Sequence, residues 1–127
     1  MPTSPRAVFA FDRENWCSVF SSVEDAENGV ETNDVDADEY VVFGDDGTVF
    51  DARVEGVRVR LSATDVRQLP QLQERLALFL RANRIDCASD DVIAAANAIL
   101  EAEWEGQWPR RPRWLARRLY GDAPPAV

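Results

Sequence analysis

The sequence predicts an α+β domain: an antiparallel sheet with C-terminal helices packed on one face, in the order β-β-α-β-β-β-α-α-α. Three observations carry that reading. Glu39 to Ser62 holds three apolar runs separated by two glycine-bearing turns, the pattern of an antiparallel meander. Two more apolar runs, Ala7–Phe11 and Trp16–Phe20, lie before it and read as an N-terminal hairpin. Downstream, Leu69, Leu72, Leu76, Phe79 and Leu80 recur at helical spacing. A chain of 127 residues that is 46% hydrophobic suits a single folded domain with its own core. Residues 1–5 and 122–127 are expected to be loose.

The elements follow in order. The two runs of the N-terminal hairpin are joined by Asp12-Arg13-Glu14-Asn15, a plausible turn. Both runs are apolar at alternating and intervening positions, so at least one belongs inside the sheet. Ser21 and Ser22, followed by Glu24 and Asp25, form a helix start of the capping-box kind. The spacing predicts a short helix over Val23–Glu31, with Val23, Ala26 and Val30 as its apolar stripe. Thr32 to Asp38 is an acidic connector.

In the meander, Glu55-Gly56 reads as a two-residue turn that sets Val54 against Val57, Ala52 against Val59 and Phe50 against Leu61. The opposite face then pairs Arg53 with Arg58 and Asp51 with Arg60. A slip of one residue would bury the arginines, because strand side chains alternate between faces. The first hairpin, around Gly44 to Gly47, allows two turns. An Asp46-Gly47 turn sets Phe43 against Phe50; a four-residue loop sets Val41 there. Both place Val41, Phe43 and Phe50 on one buried face.

Ser62 or Thr64 can cap the following helix, whose main body is expected over Pro70–Asn83 because proline suits a first turn. Ser89 caps the third helix, with Val92, Ile93, Ala96, Ile99, Leu100 and Trp104 inward and Gly106 at its end. Pro112 opens a last short helix to Tyr120.

Composition narrows the chemistry. There is no histidine, which removes the usual general base and the commonest zinc ligand. All 14 positive side chains are arginine, so Schiff-base and P-loop lysines are excluded. No catalytic residue is expected, and the chain reads as not an enzyme. Cys17 and Cys87 have no CxxC partner and read as buried, reduced thiols. No apolar run approaches the roughly 20 residues of a membrane span, and no signal-peptide pattern opens the chain; a cytoplasmic protein is expected. Asp34, Asp36 and Asp38 alternate as in a calcium loop. However, an EF-hand needs Gly and Glu where this chain has Glu39 and Asp45. Asp45 and Asp46 are explained by turn chemistry. No cofactor and no metal are expected.

The net charge of −9 is unevenly spread. Residues 1–56 carry 14 acids against three arginines, and residues 57–127 carry nine acids against 11 arginines. Two candidate surfaces follow. The first is an acidic face of Glu24, Glu27, Glu31, Asp34, Asp36 and Asp38. It points to an unidentified basic protein partner, with an immunity or inhibitor protein as one concrete form. The alternative is the basic, aromatic segment of Trp108, Arg110, Arg111, Arg113, Trp114 and Arg117, suited to nucleic acid or an anionic membrane surface. Against that alternative, Trp114, Leu115 and Leu119 can dock on the core while the arginines meet the acidic half. A homodimer across the outer sheet face is a further arrangement the pattern permits.

Overall fold

The computed structural model describes residues 5–29, 40–87, 90–106 and 127. Its strands are β1 (Val8–Phe11), β2 (Cys17–Phe20), β3 (Val41–Gly44), β4 (Thr48–Glu55) and β5 (Arg58–Arg67). Its helices are α1 (Val23–Gly29), α2 (Leu69–Ala82) and α3 (Val92–Gly106). The strands form one sheet in the order β2-β1-β3-β4-β5, each pair antiparallel. This is the expected α+β architecture. The expected last helix to Tyr120 lies outside the described residues, as do the whole acidic connector Thr32–Asp38 and Ser89.

The sheet separates two apolar layers. β1 is an interior strand, between β2 and β3, and its four residues are all buried. Phe9 and Phe11 face one side with Val19, Phe43 and Val49, where α2 brings Leu72, Leu76, Phe79 and Leu80 and α3 brings Ala95, Ala96, Ile99 and Leu100. Val8 and Ala10 face the other side with Val42, Val59 and Leu61, where α1 brings Ala26 and Val23. That double coverage explains why β1 is apolar throughout. The helical stripe of α2 packs as its spacing predicts. The alanine pair of α3 lets that helix approach closely.

Both hairpins depart from the predicted register. In the first, Phe43 pairs with Val49 and Val42 with Phe50. The connection is neither turn considered above but three residues, Asp45-Asp46-Gly47. Gly47 N–H donates to the Gly44 carbonyl (3.0 Å), and Gly47 takes the left-handed conformation at φ 86°, the form three-residue hairpin loops favour. A Cβ there would also collide with the backbone of Leu69. The odd shift moves Phe50 to the opposite face from Phe43, so Val41 and Phe43 meet the C-terminal helices while Phe50 and Ala52 meet the α1 layer.

In the second hairpin, Val54 pairs with Val59, Ala52 with Leu61, Arg53 with Arg60 and Glu55 with Arg58. The two turn residues are Gly56 and Val57, not Glu55 and Gly56. Gly56 supplies φ 64° at the first central position, the place where a two-residue turn most needs glycine. The correction is two residues, so the apolar and charged faces stay as predicted. Val57 stands at the tip, 91% exposed.

β5 also runs farther than predicted. It continues to Arg67 through an irregularity opposite Val49. There the Thr64 hydroxyl donates to the Val49 carbonyl (2.7 Å) and accepts from Val66 N–H (3.2 Å). Ser62 and Thr64 therefore belong to a strand and cap no helix. α2 starts one residue beyond Gln68, whose side chain makes no cap bond, with Pro70 in its first turn. At α3 the capping side chain is Asp91, whose Oδ1 accepts from Ala94 N–H (3.1 Å). Val127 packs against the helix-side core and donates its N–H to Asn97 Oδ1 (2.8 Å).

Candidate functional site

α1 is short, so its position depends on its cap and its packing. Ser22 Oγ accepts from Asp25 N–H (3.0 Å), and the Asp25 carboxylate accepts from the Ser21 hydroxyl (2.6 Å). Ala26 is fully buried under the sheet. Three positions on the other side, Glu24, Asp25 and Asn28, are consequently exposed. Two acids in the first turn suit the positive end of the helix, and its last turn holds no basic residue.

Glu27 is different. It is half-buried, and its Oε2 accepts a hydrogen bond from the backbone N–H of Leu61 on β5 (2.8 Å). Among the described residues, β5 is the outermost strand and pairs only with β4. Leu61 N–H thus points away from β4, and a side-chain carboxylate takes the place that a sixth strand's carbonyl would occupy. Free strand edges invite pairing with other chains, and covering them is a common protection.

Between α1 and this edge lies a groove of about 270 Å³, lined by Glu24, Glu27 and Asn28 on the helix and by Arg58, Val59 and Arg60 on the strand. Val59 is buried, and the two arginines flank it. Arg60 places its Nε 3.2 Å from Glu55 Oε2, within the hairpin rather than across the groove.

Of the predicted acidic face, Glu24 and Glu27 are thus brought together beside β5. Glu31, Asp34, Asp36 and Asp38 lie outside the described residues. So do all six residues of the alternative basic patch: Trp108, Arg110, Arg111, Arg113, Trp114 and Arg117. Strand alternation alone places Arg58 and Arg60 on an outer sheet face. Their place beside α1 depends on how α1 crosses under the sheet, which no local pattern encodes.

The remaining candidates serve the scaffold. Asp46 Oδ1 accepts from Thr48 N–H (3.0 Å), which closes the turn. Hydrogen bonds from the Thr48 hydroxyl and N–H, with Arg67 nearby, hold its carboxyl below the ordinary value. Cys17 is buried, and burial, reinforced by the charge of Glu103, pushes its thiol far up, so it carries little thiolate. Cys87 is pushed up in the same direction, first by burial and then by Asp91, Asp86 and Asp90. Among the described residues, no three His, Cys, Asp or Glu side chains converge as a metal-ligand set.

Asn15, expected only as part of a turn, pins the N-terminal hairpin to α2. It sits at φ 63°, a conformation asparagine tolerates. Its Nδ2 donates to the Arg75 carbonyl (3.1 Å) and its Oδ1 accepts from Arg75 Nη1 (3.2 Å). The Arg75 guanidinium lies 5.7 Å from the centre of the Phe11 ring.

No known family model, curated protein or solved structure matches this chain. No described helix is long and apolar enough to cross a membrane.

Proposed function

We propose that the protein is a non-enzymatic binding module that meets a basic protein partner through the acidic side of α1. Glu31, Asp34, Asp36 and Asp38 extend that acidic run in the sequence. One observation carries the reading. Glu24 and Asp25 are exposed on a helix without a basic residue in its last turn, while Arg60, across the groove, is engaged by Glu55. The acidic side of α1 then steers an oppositely charged partner, and Arg58 on the strand side of the groove sets its orientation. An inhibitor of a basic enzyme is one form this takes.

Salt and charge reversal test the proposal together. A Glu24→Lys, Glu31→Lys, Asp36→Lys variant leaves Glu27 in place, because Glu27 supports β5. Wild-type protein on a resin retains its partner at low salt and loses it at high salt. The variant retains none. A variant that holds every partner of the wild type overturns the proposal.

A further inference from the structure

We infer that the outer edge of β5, which no other described strand pairs, is a docking site for an extended segment of that basic partner, which adds to the sheet as a sixth strand and displaces Glu27. The inference rests on the reading above and names the binding mode of the same surface.

Three observations meet here. First, the edge is offered in a ladder. Leu61 N–H faces outward, and by strand alternation the backbone groups of Val59 and Ala63 face the same way. Second, a groove with Val59 at its base lies between this edge and a helix, the arrangement by which extended peptides add to sheets in strand-addition complexes. Third, the one outward N–H whose partner is seen is held by a side chain. A carboxylate on a four-bond tether can leave and be replaced by a strand carbonyl at little cost in hydrogen bonding.

The charges specify the occupant. When Glu27 leaves Leu61, its carboxylate is released beside Glu24, three residues away on the same helix face. Two carboxylates on one face call for lysine or arginine at the incoming positions that point toward α1. The opposite face of β5 carries Arg58 and Arg60, so the alternate positions of the segment are uncharged or acidic. A second copy of this chain fits less well. With the two β5 strands paired antiparallel about Leu61, each Arg60 falls diagonal to its counterpart on the same face, and like charges at neighbouring positions are unfavourable.

The test uses the whole protein and two synthetic peptides. One is a seven-residue peptide of alternating lysine and threonine. The other has the same sequence with its backbone amides N-methylated, so it keeps the charge and cannot pair. Binding is followed by the NMR shifts and hydrogen exchange of the Val59, Leu61 and Ala63 amides. The unmodified peptide is expected to shift and protect these amides. N-methylation is expected to weaken binding about tenfold or more, since several backbone hydrogen bonds are lost. Glu27→Gln, which keeps an acceptor for Leu61 but loses the charge, should weaken the unmodified peptide without unfolding β5. If the two peptides bind alike and Glu24→Lys releases both, strand addition is wrong while the acidic-face proposal stands. If N-methylation abolishes binding and Glu24→Lys changes nothing, strand addition stands without the charge reading. No shift at these three amides with the unmodified peptide overturns the inference.

Discussion

At the scale of single residues, the acids divide by what they hold. Glu24 holds nothing within the described fold that would be lost on binding. Glu27 holds a backbone donor 34 positions away, a relation no spacing rule reveals, so its dual place in fold and site was not legible. Asp46 was legible: an acid before glycine in a tight turn is explained by turn chemistry. Its structure carries a pH prediction. The folded carboxyl is held below its ordinary 3.8, so the folded state favours the ionised form. That stabilisation is complete above the ordinary value and is lost as pH falls through the lowered one. Asp46→Asn keeps an acceptor for Thr48 N–H but cannot titrate. Urea unfolding from pH 7 down to pH 2 should therefore show the wild type losing more stability than the variant below about pH 4. Parallel curves over that range would show that Asp46 contributes nothing to the acid limb.

At the scale of elements, legibility followed the strength of the periodic signal. β1, β2 and α2 were read within a residue or two because their apolar patterns are long relative to their lengths. Cap and turn details were not, because they depend on which of several adjacent residues takes a special conformation. Gly47 rather than an Asp-Gly pair closes the first hairpin, and that single difference sent Phe50 to the other face. The apolar alternation of β5 ends at Ser62 although the strand runs to Arg67, because the pattern breaks at Thr64–Val66, where the side chain of Thr64 replaces a ladder bond. The corrected register still leaves Arg53 directly opposite Arg60 on an exposed face. Like charges in that position oppose pairing. Arg53→Glu converts the pair into a complementary one and should stabilise the protein by about 0.5 kcal/mol. The urea midpoint would rise with an unchanged slope, since little surface is altered. A midpoint that stays put or falls would mean that the arginines are already separated by solvent or held by other acids.

At the scale of the molecule, stability is unevenly distributed over the sheet. The end built from β2, β1 and β3 lies between two apolar layers, with Phe9, Phe11, Phe43, Leu72, Leu76 and Ile99 fully enclosed. Among the described residues, the far end of the β4–β5 hairpin has α1 on one side only. Its other face is a row of exposed charged residues from Asp51 to Glu55, and its tip is the exposed Val57. Local opening is governed by the apolar contacts a segment must break, so the hairpin end should open without the rest. Native-state amide exchange checks this directly. Amides of Phe9 and Phe43 should exchange only through global unfolding and respond fully to denaturant. Those of Arg53 and Arg60 should exchange faster and with little denaturant dependence, because their opening exposes little surface. Leu61 should sit between the two groups, held by Glu27, and should move toward the faster group in Glu27→Ala. Uniform protection across β4 and β5 would be inconsistent with a half-covered arm and would require another surface to lie over its charged face. In the presence of a partner strand the order would change at one place first: the outward amides of β5 would slow while those of β1 and β3 would not.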